Sequence, residues 1–168
     1  GSGKRPVGAS TITQQVAKNF LLSNEVSYER KIKEALLALR IEQAYSKDKI
    51  FELYLNEIYL GLGSYGIAAA ALNYFDKPVN QLTIGEAAYL AALPKAPENY
   101  NPLRHQERAV ERRNWVIDRM VENGYIRPAD AETAKTSTLA VTVRPRGNYL
   151  FASEFFAEEV RRNLIDLY

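Results

Sequence analysis

The sequence has no cysteine, and it has one histidine, one methionine and one tryptophan among its 168 residues. Without cysteine, disulfide bonds and thiolate metal sites are excluded. The single histidine, His105, excludes a zinc site built from several histidines, and no Ser-His-Asp set accompanies it. Any chemistry in this chain therefore depends on its carboxylates, amides, hydroxyls and cations.

Long apolar runs are lacking, and so is a strong net charge. No run approaches the ~20 apolar residues that a membrane-spanning helix needs, and no signal-peptide pattern is present. A net charge of +2 is too small to favour a nucleic-acid partner. Residues 1–40, however, hold seven Lys and Arg against three Glu, a surplus of four, so the remaining residues carry −2. The positive charge is concentrated near the amino end.

The amino-terminal part predicts a helix with one polar face. Thr11 and Gln14 have the spacing of a capping box, so a helix should run from here towards Leu22. Its core stripe should be Ile12, Val16 and Phe20. The opposite face gathers Gln14, Gln15, Lys18 and Asn19. Such a helix start suits an anion such as phosphate, although a simply solvated helix start has the same pattern.

A second helix carries a sharper pattern. Ser27 predicts its start, and it should run to about Tyr45. Its buried edge should be Ile32, Leu36 and Leu39. Arg30 and Lys31 precede Glu34 by four and three residues, so the three side chains share one face. A carboxylate beside two cations can stay ionised, hold them in place or ligate a metal ion; the alternative is an ordinary surface ion pair.

A third helix should begin after Ser46 and run to about Leu60. Within it, Glu52, Asn56 and Tyr59 are spaced to share a face. These side chains either contact a ligand or fasten neighbouring helices by buried hydrogen bonds.

The remaining sequence predicts further helices. Thr83 and Glu86 form a second capping box, and a long helix should span residues 104–122 before a left-handed cap at Asn123-Gly124. Residues 139–143 have a β-like pattern, and a last amphipathic helix is expected over residues 153–168. The predicted fold class is mainly α.

Four motifs occur in a fixed order along the chain. They are GASTITQQ at residues 8–15 with Lys18 and Asn19 behind it, RKIKE at residues 30–34, KDKIFELYLN at residues 47–56 and RRNWVIDRM at residues 112–120. The set resembles the second to fifth signature motifs of the family 51 peptidoglycan glycosyltransferases, the glycan-polymerising domains of class A penicillin-binding proteins and of their monofunctional relatives. Phe51 and Ile117 stand where that family usually has leucine.

The resemblance implies a lysozyme-like helical domain that polymerises lipid II, an undecaprenyl-pyrophosphate disaccharide-peptide. The reaction would form β-1,4-linked glycan with inversion and release undecaprenyl pyrophosphate. The expected partners are lipid II, the growing glycan strand and cell-wall synthesis proteins, with no nucleic acid. The expected cofactor is Mg²⁺ or Mn²⁺, and the expected location is the periplasmic face of a bacterial inner membrane.

The resemblance also implies roles for individual residues. Glu34 would be the catalytic residue present, either ordering the cations or holding the metal ion. Arg112, Arg113 and Arg119 would brace the fold. The substrate contacts would be Ser10, Thr11, Gln15, Lys18, Asn19, Arg30, Lys31, Asn56 and Tyr59.

One expected motif has no counterpart in the sequence. The family's first motif carries the glutamate taken to be the general base, and nothing in residues 1–7 matches it. We therefore expect a glycosyltransferase domain over residues 1–145 that lacks its amino-terminal part and is inactive alone. A helix at residues 146–168 would lead to a linker or a further domain. The alternatives are a lysozyme-like glycan hydrolase, which needs an acidic pair in a cleft, and a non-catalytic module that binds anionic lipid.

Overall fold

The computed structural model describes residues 10–21 and 27–142, and in these residues the chain is helical. The α-helices are α1 (Ile12–Phe20), α2 (Tyr28–Ala44), α3 (Lys47–Glu57), α4 (Ile67–Phe75), α5 (Ile84–Ala92), α6 (Gln106–Glu122) and α7 (Pro128–Thr136). Short 3₁₀ helices form at Val79–Gln81 and Leu93–Lys95. The mainly α prediction is confirmed, and no described helix is long and apolar enough to cross a bilayer.

The helix starts follow the capping signals in the sequence. Thr11 and Thr83 each form a complete capping box with the residue three positions on. The Ser27 and Ser46 hydroxyls accept hydrogen bonds from backbone N–H groups of α2 and α3. Each such cap satisfies an N–H group that has no partner inside its helix. After α6, Gly124 adopts a φ of 73°, as the Asn-Gly sequence predicts.

The predicted core stripes of α1 and α2 are wrong, apart from Val16. In α1 the buried residues are Thr13, Val16 and Ala17, and in α2 they are Glu34, Ala38 and Ile41. Ile12 and Phe20 are exposed, and so are Ile32, Leu36 and Leu39 at 61%, 57% and 57%. Helix α1 lies against both α2 and α3, and small side chains on the buried faces allow this close approach. The apolar row of α2 therefore faces outward.

The third predicted helix ends earlier than expected. Helix α3 stops at Glu57, and Tyr59 forms an isolated antiparallel bridge with Tyr65. Gly66 closes this turn at a φ of 82°, where an added Cβ would collide with the Asn56 carbonyl. Tyr59 consequently does not share a helical face with Glu52 and Asn56.

The β-like prediction for residues 139–143 is wrong over the part that is described. Residues 139–142 form no strand; instead, Leu139 is buried and the backbone N–H of Thr142 donates to the carbonyl of Tyr74 at 2.8 Å. The alternating apolar residues there pack against the end of α4 rather than pairing with another strand. Residue 143 and the helix predicted over residues 153–168 lie outside the described residues.

The buried apolar residues fall into three clusters. The first joins α1, α2 and α3 around Val16 and Ile41. The second centres on α4 and α5, where Tyr74 and Tyr89 meet edge to face at 5.6 Å between ring centroids. The third joins α5, α6 and α7 around Ile117. Helices α1 to α3 thus form one packed unit, which contacts α4 through α3.

Candidate functional site

A buried carboxylate organises the contact between the start of α1 and the first turns of α2. Glu34 is 1% exposed, and its two oxygens accept from Lys31 Nζ at 2.7 Å and Arg30 Nη1 at 3.3 Å. Lys31 Nζ also donates to Ser10 Oγ at 3.0 Å. We call Ser10, Arg30, Lys31 and Glu34 the Glu34 cluster. The shared face predicted from their spacing is therefore formed, and it is not an ordinary surface ion pair.

The Glu34 cluster has a net positive charge, and its Lys31 side is exposed to solvent. Two cations surround one carboxylate, and Lys31 keeps about half of its side chain exposed whereas Glu34 is almost fully enclosed. A buried carboxylate needs such partners, because losing them would leave an uncompensated charge away from water. The arrangement fixes the Lys31 ammonium at the protein surface with the mostly buried Arg30 guanidinium beside it, which suits binding of an anion.

A cavity of about 280 Å³ lies beside the later turns of α1. Its lining residues are Gln15, Lys18, Asn19, Tyr54, Ile58, Tyr59, Pro94 and Pro97. We call it the α1 cavity. Four of the predicted site residues, Gln15, Lys18, Asn19 and Tyr59, therefore meet around one space. Burial raises the pKa of the Tyr54 hydroxyl, so this hydroxyl stays protonated at neutral pH.

Helix α1 links the Glu34 cluster to the α1 cavity. Ser10 lies two residues before the start of α1, and Lys18 lies in the last turn of that helix, about 9 Å along the axis from Ile12 at 1.5 Å per residue. The described structure thus gathers the predicted cations into two groups, one beside the start of α1 and one beside its last turn.

Two predicted site residues take other positions. The Thr11 hydroxyl accepts from the backbone N–H of Gln14 as the helix cap. Asn56 is exposed and is not among the residues that line the α1 cavity. Glu52, which was expected beside it, forms a surface ion pair with Lys49. The alternative of buried hydrogen bonds at Glu52 and Asn56 is therefore wrong.

Four lining residues of the α1 cavity were not predicted as site residues from the sequence. Tyr54 and Ile58 belong to α3 and its end, and Pro94 and Pro97 belong to the segment after α5. The prolines indicated only a loop, since no local pattern says which surface a loop packs against. Tyr54 lies inside the KDKIFELYLN motif, and this position was the one feature of the sequence that could have identified it as a site residue.

The described residues do not offer a divalent metal ion a ready site at Glu34. Both carboxylate oxygens are already taken by cations, and the described residues contain no group of three His, Cys, Asp or Glu that could hold a metal. Mg²⁺ prefers several oxygen ligands and carboxylates not already paired with cations. If Mg²⁺ or Mn²⁺ takes part, most of its ligands must come from elsewhere, such as the phosphates of a substrate.

Within the last motif, Arg113 supplies a brace between helices. Arg113 is 1% exposed and donates to the carbonyls of Lys135 and Ser137, both at 2.8 Å, and to Asn114 Oδ1 at 3.0 Å. Its burial lowers the pKa of the guanidinium. The side chain thereby fastens α6 to the end of α7.

Comparisons with known proteins agree with the motifs. A family model described as transglycosylase matches residues 1–121. Penicillin-binding protein 1A of Aquifex aeolicus is 53% identical over 99% of this chain and 23% of its own length, and that of Escherichia coli is 48% identical over 99% and 20%. The crystal structure of penicillin-binding protein 1A from Haemophilus influenzae superposes with a TM-score of 0.54 at 34% identity, covering 95% of this chain and 21% of that one.

This chain therefore spans about a fifth to a quarter of the length of these two relatives. The structural neighbour and the helical content agree with the fold expected for the family. Because the family model covers most of the chain and relatives share about half of its residues, the chain belongs to the family 51 transglycosylases.

Proposed function

We propose that this chain provides the glycan-polymerising machinery of a peptidoglycan glycosyltransferase. Its donor and acceptor are lipid-linked saccharides of the lipid II class, joined through a β-1,4 bond. The observation that supports this most directly is the position of Lys31, whose Nζ lies between Ser10 Oγ and the buried Glu34 carboxylate. An ammonium held in this way can meet a leaving pyrophosphate without first being reoriented.

In the proposed reaction the 4-hydroxyl oxygen of the acceptor attacks the anomeric carbon of the α-linked donor from the opposite face. The new C–O bond forms as the bond to pyrophosphate breaks, so the product linkage is β. The bond electrons leave with the pyrophosphate, whose added negative charge is met by Lys31 and Arg30 of the Glu34 cluster and by Lys18 of the α1 cavity. The hydroxyl proton goes to a general base, which family resemblance assigns to the glutamate of the first motif.

Glu34 is best described as a positioning residue in this scheme. Its oxygens are turned towards Arg30 and Lys31 and enclosed by protein, so it acts on the substrate through these cations. Gln15 and Asn19 add amide donors and acceptors for phosphate or sugar hydroxyls inside the α1 cavity, and Tyr59 adds a partly exposed aromatic ring. Together these side chains suit a ligand with an anionic group at one end and a sugar at the other.

A lysozyme-like hydrolase is a weaker alternative. Glycan hydrolysis by such enzymes uses a pair of carboxylates flanking the scissile bond. None of the described residues that line the α1 cavity is acidic, and the Glu34 carboxylate is already paired with cations. An anionic-lipid binding module without catalysis would show the lipid binding described below but no polymerisation in any form of the protein.

We also propose that the protein works at the periplasmic face of a bacterial inner membrane. Helix α2 presents an exposed apolar row, Tyr28, Ile32, Leu36 and Leu39. Lys33 and Arg40 follow Ile32 and Leu39 directly, and cations beside an apolar helix face favour an anionic membrane surface. Because the same helix carries Arg30 and Lys31, a lipid-linked pyrophosphate at that surface would be close to them.

The proposal is tested by binding of undecaprenyl pyrophosphate in detergent micelles. We expect the chain to bind it more tightly than undecaprenol, and Lys18→Ala and Lys31→Ala to weaken the binding by about tenfold each, the scale of one charged hydrogen bond. Lys47→Ala is the matched control, because this lysine is exposed outside both groups. Equal binding of both lipids would contradict the proposal.

Polymerisation itself is tested in a form of the protein that includes the family's first motif. We expect Glu34→Gln to lower kcat for lipid II polymerisation by about a hundredfold or more, since both cations lose their counter-ion at once. Glu42→Gln, an exposed carboxylate on the same helix, is the control and should retain activity. Circular dichroism should show unchanged helicity in both. Normal turnover in Glu34→Gln would refute the role given to Glu34.

A further inference from the structure

A second cavity lies outside both groups of the proposed site. It has a volume of about 440 Å³ and opens beside the middle of α6, within the range of small-ligand pockets. We call it the Trp115 cavity. Its lining residues are Asn99, Tyr100, Arg108, Glu111, Arg112 and Trp115.

The wall formed by α6 holds two guanidinium groups one helical turn apart. Arg108 and Arg112 are four residues apart and therefore lie on the same face of the helix. The guanidinium carbon of Arg112 is 3.9 Å from the centroid of the Trp115 ring. Such stacking fixes a guanidinium in one orientation and lowers the entropy cost of using its N–H groups for a ligand.

Neither of these guanidinium groups is satisfied by the protein. Within residues 10–21 and 27–142, Arg108 and Arg112 have no hydrogen bond or ion pair, and Arg112 Nε is buried without an acceptor. In contrast, Arg113 donates to two carbonyls and Arg127 forms a two-point ion pair with Asp130. The buried Arg112 Nε indicates a missing acceptor at this cavity, and the exposed Arg108 guanidinium is available beside it.

A third charged side chain in the Trp115 cavity, that of Glu111, limits which kind of acceptor can bind there. Glu111 also lines the cavity, and it has no partner in the described part of the chain. A carboxylate in the wall repels a polyanion such as pyrophosphate, and it accepts hydrogen bonds from N–H groups. The cavity therefore suits a ligand with one carboxylate for the arginines, N–H donors for Glu111 and an apolar part for the Trp115 ring. A short peptide with a free carboxyl end has all three.

The Trp115 cavity is close to the α1 cavity along the chain. Pro97 lines the α1 cavity, whereas Asn99 and Tyr100 line the Trp115 cavity. Two residues span at most ~7 Å, so one short segment forms a wall of each. The Tyr89 hydroxyl holds this segment by donating to the Tyr100 carbonyl at 2.8 Å.

We propose that the Trp115 cavity binds the carboxyl end of a short peptide. Arg108 and Arg112 hold the carboxylate, Glu111 accepts from the peptide N–H groups, and Trp115 packs against the side chain or backbone. The source of the peptide is the lipid-linked disaccharide-peptide whose sugar end occupies the neighbouring site. This source rests on the proposed function, but the peptide site itself does not.

The single tryptophan of the chain gives a direct test. N-acetyl-alanyl-alanine is titrated into the chain while Trp115 fluorescence is followed, and the C-terminal amide of the same peptide is the comparison. We expect saturation with a Kd of about 1 mM or tighter for the acid and binding about tenfold weaker for the amide, because the amide cannot pair with the guanidinium groups. No response, or equal responses to acid and amide, would overturn the proposal.

A variant pair checks that the signal comes from this cavity. Arg108→Gln should remove the preference for the acid over the amide, whereas Arg104→Gln, an exposed arginine outside the cavity lining, should keep it. Both residues lie at the surface, so folding should be unaffected. Inorganic phosphate that competes as well as the peptide would show a general anion site and would also overturn the proposal.

Competition with lipid II tests the source of the peptide separately from the existence of the peptide site. Displacement of the free peptide from the wild-type chain by lipid II supports the lipid-linked source. Displacement from the Lys18→Ala variant should be weaker, because that variant binds the lipid-linked pyrophosphate less tightly. Free peptide that binds and is not displaced overturns that source while leaving the carboxylate site in place. If undecaprenyl pyrophosphate still binds when the peptide does not, only this inference fails and the proposed function stands.

Discussion

Glu34 and Arg113 are both buried charges, and the protein stabilises them in different ways. Glu34 is enclosed with two cations, one of which stays half exposed. Arg113 is enclosed with neutral oxygens alone, two carbonyls and one amide. A guanidinium can be satisfied by neutral acceptors because its five N–H donors point in fixed directions. The first residue therefore holds cations in place for a ligand, and the second fixes two helices.

The role of Arg113 predicts that lysine cannot replace it. An ammonium reaches one acceptor at a time with flexible geometry, so Arg113→Lys should leave at least one of the Lys135 and Ser137 carbonyls unpaired. We expect a loss of about 2–4 kcal/mol in the free energy of unfolding, measured by urea titration.

The matched control for this substitution is Arg104→Lys, at an exposed position before α6. It should change the free energy of unfolding by no more than about 0.5 kcal/mol. Equal stability of Arg113→Lys and the wild type would mean that the two carbonyls find other donors, and the bracing role would be wrong.

At the scale of the element, α2 has two apolar stripes, and this explains where the sequence was misleading. Ile32, Leu36 and Leu39 follow helical spacing as well as Ala38 and Ile41 do. The stripe that packs includes Glu34, and a charged residue counts against burial unless its partners are known. The spacing of Arg30 and Lys31 showed that they share a face with Glu34. Ser10, which accepts a hydrogen bond from Lys31, lies 21 residues before Lys31 in sequence, so no local pattern shows that contact.

Local signals, in contrast, were sufficient for most helix starts. The caps at Thr11, Ser27, Ser46 and Thr83 depend on bonds between residues three apart, which the sequence displays directly. The α1 cavity needed tertiary information, because Pro94 and Pro97 reach Lys18 from more than seventy residues away. The family motifs identified most polar residues of the site, but not the surfaces that enclose them.

The exposed row of α2 predicts a measurable contribution to membrane binding. Leu36→Gln and Leu39→Gln should each weaken sedimentation with vesicles of phosphatidylcholine and phosphatidylglycerol by about tenfold, since each removes one apolar side chain from the contact. The thermal unfolding midpoint should stay close to that of the wild type, because both side chains are 57% exposed.

Leu103→Gln is a matched control for the two α2 variants, since Leu103 is also 57% exposed but lies in the loop before α6. It should bind the vesicles as the wild type does. If all three leucine variants lose binding equally, or if none does, the membrane face is not on α2.

At the scale of the whole molecule, the proposed site joins two packed units. Helices α1, α2 and α3 share one apolar cluster, whereas α4 to α7 contain the other two. The α1 cavity is lined from both sides, by Lys18 of α1 and by Pro94 and Pro97 after α5. A ligand in this cavity therefore contacts both units, and it should stabilise their association.

Hydrogen exchange measured by mass spectrometry tests this coupling. Helices α1 and α5 both have nine residues, but α1 has three buried residues and α5 has five, so the amides of α1 should exchange faster. Saturating undecaprenyl pyrophosphate should slow amide exchange in α1 by about tenfold or more. It should change amide exchange in α7 little, because α7 contributes no residue to the Glu34 cluster or to the lining of the α1 cavity. Undecaprenol, which lacks the pyrophosphate, should leave α1 unchanged. Equal protection of α1 and α7 would instead indicate that the ligand stabilises the fold globally, and the cavity on α1 would not be its binding site.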